Sequence, residues 1–276
     1  MPGKRIRRLL KAVLLDELPD KRIDHLYYRV SAGNCLIPNS VYQTWETNTL
    51  GRTHLKGLEK FRQLNPDYSF ELFDNEKMSS YMKEFYGSNS IYEVFDNARF
   101  GPLKADIWRY CILYQRGGVY FDINKSLNLP LRELIGTNDR AVISFEQNRV
   151  KASIDWEAPT EIRSRLQHPE LIIINWGMAF TKGHPFLRTT IQNILADYPK
   201  WKLKMVANVK DAVTRFSGPL MLTRSIWETL QKMPDTDFKQ AEIDFYGRGN
   251  PDVKGSWSRY LARRSYDEYS ESIIVT

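Results

Sequence analysis

Two cysteines, Cys35 and Cys111, are all that 276 residues contain. That excludes a disulfide framework of the small secreted kind and fits a reducing compartment. Cys111 lies in a helical pattern between Tyr110 and Ile112 and reads as a small core residue. Histidine is also scarce: His25, His54, His168 and His184 include no pair at metal-ligand spacing. No Ser/His/Asp or Cys/His arrangement points to nucleophilic catalysis. His184 precedes Pro185 at a helix start and reads as structural. No apolar run approaches the roughly 20 residues that a membrane-spanning helix needs. Internal repeats, low-complexity tracts and Pro/Ser linkers are missing too, so one main domain is expected.

What is present is the composition of a folded protein, 42% hydrophobic and 13% aromatic. Forty basic against 33 acidic residues give a formal charge of +7, which favours anionic partners such as acidic lipid or nucleotide phosphates. Nucleic acid is not expected, because no basic–aromatic recognition motif occurs and the acids are scattered. The opening KRIRRLLKAVLLDEL mixes cations with an apolar stretch broken by Lys11 and lacks a small-residue cleavage site, so it does not read as a signal peptide. It reads as a short amphipathic helix over about 4–16, packed on its own domain or lying on an anionic membrane. WSRYLARRSY near the other end repeats the mixture. Residues 1–36 are therefore a basic helical extension and 37–276 the domain.

Within the domain, strands are expected near 40–45, 69–73, 119–123 and 141–145, with an apolar run at 171–180. Helices are expected at about 53–64, 76–85, 89–97, 102–117, 185–197 and 219–232. In the clearest of them, PLKADIWRYCILYQRGG, Pro102 suits the first turn and Gly117 a left-handed cap. Alternating strands and helices imply an α/β domain with a mixed, mostly parallel central sheet. Ligands of such sheets bind beyond the carboxyl ends of the strands, where Trp45, Asp74–Asn75 and Asp122–Asn124 fall.

Asp106 and Arg109 are three apart and share a helix face. Leu103, Ile107 and Tyr110 make the core-facing stripe. Because the helix feeds through Gly117–Gly118 into a strand, Asp106, Arg109 and Asp122 can converge. An Arg beside a carboxylate suits phosphate or ribose recognition; on its own the pair reads first as an ordinary i,i+3 salt bridge on a surface helix. Asp122 and Asn124 point the same way from an extended segment, and two oxygen donors there suit a hard divalent cation bridging a diphosphate.

The whole string KADIWRYCILYQRGGVYFDIN resembles the signature of the glycosyltransferases with a DXD-containing sugar-binding region. Ala105, Asp106, Arg109, Leu113, Gly117, Gly118, Tyr120 and Asp122 match that pattern, and Asn124 departs from it. IPNSVYQTW, NPDYSFELFDNE, NWGMAFTKGHP, SGPLMLT and the closing GSW also resemble segments of the family, so the likeness spans about residues 37–257.

That resemblance implies a nucleotide-sugar-binding GT-A domain and retaining transfer from a UDP- or GDP-sugar, assisted by Mn²⁺ or Mg²⁺. The acceptor would be a glycan or glycolipid: lipopolysaccharide, capsule or a lipid-linked oligosaccharide. It further implies that Trp45 stacks on the base, with Asp74 or Asn75 near base or ribose. Asp106 would contact the ribose or donor sugar, and Arg109 the sugar hydroxyls or diphosphate. Tyr120 belongs to the same binding set, and Asp122 would touch ribose and metal. Asn124 stands where the main metal ligand belongs. Asp252 occupies the place of a histidine that often precedes the closing motif, so Asp122, Asn124 and Asp252 form the expected metal set. Ser256 would add an oxygen and Trp257 would close over the donor phosphates. Front-face transfer requires no protein base; Glu146 and Asp155 are candidates for acceptor contact. A different reading is a sugar-nucleotide-binding protein whose turnover is weakened by Asn124. The expected place of action is cytoplasmic, peripheral at the inner face of the membrane.

Overall fold

A computed structural model of the chain describes residues 2–31, 33–147, 159–250, 252–260 and 266–276. Asp155, one of the two acceptor-contact candidates, lies outside them. The principal helices are α1 (Pro2–Leu14), α2 (Arg52–Gln63), α3 (Asn75–Tyr86), α4 (Ser90–Asp96), α5 (Gly101–Arg116), α6 (Pro185–Trp201), α7 (Val209–Phe216) and α8 (Pro219–Lys232). The central strands are β1 (Ser40–Thr44), β2 (Ser69–Phe73), β3 (Gly118–Phe121), β4 (Ala141–Phe145), β5 (Gly177–Phe180) and β6 (Lys239–Ile243).

They form a six-stranded sheet in the order β2-β1-β3-β5-β4-β6. β1 pairs parallel with β2 and β3, β4 pairs parallel with β6, and β5 is antiparallel to both of its neighbours. The sheet is thus the mixed, mostly parallel one expected of an α/β domain. Because β5 alone is reversed, its amino end lies beside the carboxyl ends of the other strands. The register Phe121↔Gly177 and Gly118↔Phe180 therefore delivers Asn175 and Trp176 to the exit of β3.

Side chains alternate across the sheet, as extended backbone requires. Val41, Phe70, Val119 and Phe121 pack with Phe61 of α2 on one face. Tyr42, Phe73 and Tyr120 pack with Trp108 of α5 and its helical neighbours on the other. The result is a three-layer α/β/α arrangement with α5 in the interior. Residues Asp106 to Leu113 are all buried, which corrects the expectation of a helix with one core stripe and a solvated polar face. The helix runs between two layers, so its polar side chains have to be satisfied inside the protein.

Gly117 closes α5 at φ +67, ψ −171, and Gly118 follows at φ +105. A Cβ on Gly118 would lie 2.7 Å from the Ser40 carbonyl oxygen. The Gly-Gly pair is therefore set by backbone geometry and by the close approach of β1 to β3.

Other differences from the sequence reading have local causes. In the apolar run 171–180 only 177–180 is strand; Ile173 makes an isolated bridge to Phe145, and Asn175–Trp176 bend into the site. α6 extends to Trp201 with Pro199 inside its last turns. α7 and β6 were not anticipated, since one is 8 residues long and the other, KQAEI, is too polar to read as a strand. Within residues 1–36 the α-helix covers only Pro2–Leu14. Lys21–Arg22 pair with Thr49–Leu50, and Ile23 and Leu26 are buried with Leu50, Leu58 and Ile123.

Candidate functional site

The site is organised around Arg109, which α5 holds with only 5% exposure. Its Nη2 lies 3.3 Å from Asp106 Oδ1 and 3.2 Å from Asp122 Oδ1. Nη1 donates to the Asn175 carbonyl at 2.8 Å, and Nε donates to the Ala105 carbonyl at 3.3 Å. The guanidinium stacks over the Tyr120 ring, 4.4 Å from its centroid. Tyr120 in turn donates its hydroxyl to Asp122 Oδ1 at 2.6 Å.

Asp106 is just as covered, at 6%. Its Oδ1 accepts from Asn175 Nδ2 at 3.1 Å, and its Oδ2 accepts from the Ser217 hydroxyl at 2.9 Å. Tyr110 links the same groups: its hydroxyl donates to the Ser217 carbonyl and receives Asn175 Nδ2. The Asp–Arg pair is thus a buried, hydrogen-bonded unit and not a surface salt bridge.

Electrostatics follow from this burial. Loss of solvent pushes the Asp106 carboxyl up to about 6, opposed by Arg109 and by the Ser217 hydroxyl. Burial opposes the charge on Arg109, but Tyr120, Asp122 and Asp106 around it raise its pKa, so the guanidinium stays protonated. Tyr120 is raised well above the ordinary phenol value by burial, which keeps its hydroxyl a donor to Asp122. Asp122, with its side chain 28% exposed, is the member of the network that faces outward.

Backbone contacts bring the late segment to the same corner. The Asn124 carbonyl accepts from Val253 N–H at 2.8 Å, so Asn124 and Asp252 are neighbours although far apart in sequence. The Asp252 carboxylate is 68% exposed and lies 3.9 Å from Lys125 Nζ. Ser256 is buried; Trp257 is half-buried beneath Lys11 Nζ, 5.1 Å from its ring centroid. At the other side of the strand ends, Trp45 N–H bonds the Phe73 carbonyl at 3.2 Å, which sets Trp45 beside Asp74. Asp74 caps α3 by accepting from Lys77 N–H at 2.8 Å, and Asn75 is exposed. Glu146 follows β4, with its N–H on the Ile172 carbonyl.

The residues expected to hold a metal, Asp122, Asn124 and Asp252, and the expected neighbour Ser256 all offer oxygen. Oxygen donors fit a hard cation such as Mn²⁺ or Mg²⁺. Among the described residues no three His, Cys, Asp or Glu side chains gather as a metal-binding group.

The network that sequence reading missed is Asn175 and Ser217. Both sit in strings noted for their family likeness, NWGMAF and SGPL, but only the reversal of β5 and the turn between α7 and α8 show that they hold Asp106. A cavity of about 510 Å³ lined by Arg140, Lys182, His184 and Lys232 opens at the opposite edge, beyond the end of β5. It has no contact with this network. Its His184 caps α6, and burial pulls its pKa down to about 4, in keeping with the structural role expected of it.

Residues 51–141, which include Asp106, Arg109, Asp122 and Asn124, match the family described as "Glycosyltransferase sugar-binding region containing DXD motif". Over this stretch the chain resembles these glycosyltransferases. "Inositol phosphoceramide mannosyltransferase 3" of Schizosaccharomyces pombe is 25% identical over 218 residues, covering 78% of this chain and 52% of that protein. "Initiation-specific alpha-1,6-mannosyltransferase" of Candida albicans is 24% identical over 209 residues, 71% of this chain and 54% of that protein. The chain thus spans about half the length of the curated relatives it matches. A solved structure, "PaToxG Glycosyltransferase", aligns with 83% of this chain and 79% of its own at a TM-score of 0.48 and 16% identity. Within the stretch that matches the DXD region the chain keeps the first carboxylate, Asp122, and carries an amide at Asn124.

Proposed function

We propose that the chain is a retaining glycosyltransferase of GT-A type that moves a sugar from a UDP- or GDP-sugar to a hydroxyl of a glycolipid or glycan. The observation that carries this reading is the buried Asp106–Arg109–Tyr120–Asp122 network at the carboxyl edge of the sheet, inside the family's sugar-binding region. The similar yeast proteins are named as mannosyltransferases, two of the names include inositol phosphoceramide or its mannosylated product, and GDP-mannose is accordingly the first donor to test. The acceptor is then a lipid-linked glycan or headgroup hydroxyl.

Roles divide by exposure. Asp122 faces the donor and, with Asn124 and Asp252, would hold Mn²⁺ or Mg²⁺, which neutralises diphosphate charge when bound. Arg109 and Asp106 are nine-tenths covered and bonded to each other and to protein groups around them, so they act as positioning residues. They fix Asp122 through a shared guanidinium, and Tyr120 holds the same carboxylate oxygen from the other side. Trp45, with Asp74 and Asn75, offers an aromatic surface and polar groups for the base and ribose at the adjacent strand ends. Ser256 and Trp257 close the corner from the late segment.

In the transfer, the bond from the anomeric carbon to the β-phosphate oxygen breaks and a bond to the acceptor oxygen forms on the same face. The acceptor's proton passes to the leaving diphosphate, which explains why no protein base is needed.

The test is a thermal-shift screen of UDP, GDP and their sugars, with and without Mn²⁺, followed by transfer and donor-hydrolysis assays with the stabilising donor. Stabilisation that requires metal, accompanied by transfer, supports the proposal. Stabilisation with neither transfer nor hydrolysis assigns the protein to the alternative, a sugar-nucleotide binder weakened by Asn124. No stabilisation by any sugar nucleotide sinks both.

A further inference from the structure

α1 presents its apolar face the wrong way for a helix packed on its own domain. At 100° per residue, Ile6, Leu9, Leu10, Val13 and Leu14 fall within an arc of roughly 140°. They are between 48% and 83% exposed. The contacts that seat the helix come from outside that arc: Ala12 is fully buried, and Lys11 lies over the Trp257 ring. Arg7, Arg8 and Lys11 are exposed alongside the stripe, and the helix contains no acidic residue.

The helix is tied to the corner that holds Asp122. Glu17, 5% exposed, accepts from Thr53 N–H at 2.9 Å and from the Thr53 hydroxyl, so it caps α2 in place of Gly51, which has no side chain to do so. His54 next in line is hydrogen-bonded through Nε2 to the Ile123 carbonyl at 2.9 Å, between Asp122 and Asn124. A Cβ on Gly51 would sit 2.7 Å from the Glu17 carbonyl and 2.9 Å from Ser258 Oγ, so α1, α2 and the closing segment are in close contact.

A second basic–apolar element lies at the same edge. β5 runs away from Asp122, so α6 runs back toward it and delivers the loop 202–205. There Leu203 and Met205 are 63% and 70% exposed, each preceded by a lysine, Lys202 or Lys204. Trp201 at the base of the loop meets Phe216 at 5.8 Å, one residue before the Ser217 that holds Asp106.

We propose that α1 and the loop 202–205 form a lipid-contact rim that seats the carboxyl edge of the sheet on an anionic bilayer, with the site opening at the headgroup level. Five exposed apolar side chains in one stripe match insertion into the interface, and the flanking cations match acidic headgroups. A neutral or protein partner would not require the cations. This inference deepens the glycolipid part of the proposed function, since it places the transfer site where a lipid-linked acceptor is presented.

The test is cosedimentation of the full chain with phosphatidylcholine vesicles, with and without phosphatidylglycerol. Binding only to the anionic vesicles, weakened by salt, is expected. Leu9→Gln/Leu10→Gln/Val13→Gln should lower the partition coefficient at least about tenfold, since three buried apolar side chains are lost. Arg7→Gln and Arg8→Gln should each lower it roughly fivefold, and Leu203→Ser/Met205→Ser should lower it several-fold. Circular dichroism and donor-induced thermal shift, which these surface changes should leave alone, show that the variants fold. Equal binding to neutral vesicles, no binding at all, or variants that bind like the parent overturn the proposal. So does a dimer, seen by sedimentation velocity, that the Leu9/Leu10/Val13 variant dissolves, because the stripe would then belong to a second copy. Vesicle binding is measured without donor, so failure of sugar-nucleotide binding leaves this result standing, and the reverse.

Discussion

Replacing Asp106 by alanine is the sharpest probe of the buried network. The change leaves the Arg109 guanidinium, 5% exposed, with Asp122 as its remaining carboxylate. It also strips Ser217 Oγ and Asn175 Nδ2 of the contacts they make at 2.9 and 3.1 Å. Breaking a buried ion pair by removing one partner costs about 3–5 kcal/mol. For a domain of this size each kcal/mol moves the midpoint by about 2–4 °C, so a fall of roughly 6–20 °C is expected. Asp106→Asn keeps the volume and one acceptor oxygen and should cost only about 1–2 kcal/mol. Denaturant unfolding of both variants, combined with Arg109→Met in a double-mutant cycle, measures the coupling, expected at about 1–3 kcal/mol. An alanine variant within about 1 kcal/mol of the parent would refute the reasoning, since that is the scale of an ordinary substitution. The pH dependence gives an independent check. Burial raises the Asp106 carboxyl from 3.8 to about 6, so the native state holds this proton more tightly than the unfolded chain does. Its stabilising contribution is full below about 3.8 and is lost as pH rises through about 6. The stability of the parent relative to Asp106→Asn should therefore decline across that window and level off above it. A difference that is flat with pH, or that grows, contradicts the burial argument.

Three further changes address other parts of the site. Asn124→Asp restores the second carboxylate at the β3 exit; the Mn²⁺ concentration for half-maximal donor binding should fall about tenfold by titration calorimetry, and no change would remove residue 124 from the metal corner. Tyr120→Phe deletes the 2.6 Å bond to Asp122 while leaving the ring beneath Arg109. It should cost about 1 kcal/mol of stability and weaken donor binding several-fold; unchanged affinity would mean that Asp122 needs no help in orientation. Gly118→Ala places a Cβ 2.7 Å from the Ser40 carbonyl at φ +105, and a loss of about 2–4 kcal/mol is expected in denaturant unfolding. An unaltered midpoint would show that β1 and β3 can separate at no cost.

Much of this protein was legible in the chain itself. Local signals are carried by neighbouring residues, so Pro102 and Gly117 marked the ends of α5, and the alternation of apolar stretches marked β1 to β4 within a residue or two. The string from Asp106 to Asp122 also carried the resemblance to the DXD-region glycosyltransferases, because its residues lie close together in sequence and on two elements joined by Gly117–Gly118. Pairing across distance was not legible. Nothing local to NWGMAF says that β5 runs antiparallel to its neighbours, yet that reversal alone carries Asn175 to Asp106 and Arg109. Helical periodicity likewise assigned α5 one core stripe, whereas layers on two sides bury it throughout and turn a presumed solvated pair into a desolvated one. The cationic, apolar character of α1 was plain from its residues; that its apolar stripe faces away from the domain was decided by where Lys11, Ala12 and Glu17 dock. Residue types and their spacing determine which groups are available and which local shapes form. Only tertiary packing decides which groups lose their water, and it is this loss that raises the Asp106 carboxyl and leaves Asp122 as the carboxylate of the network that faces outward.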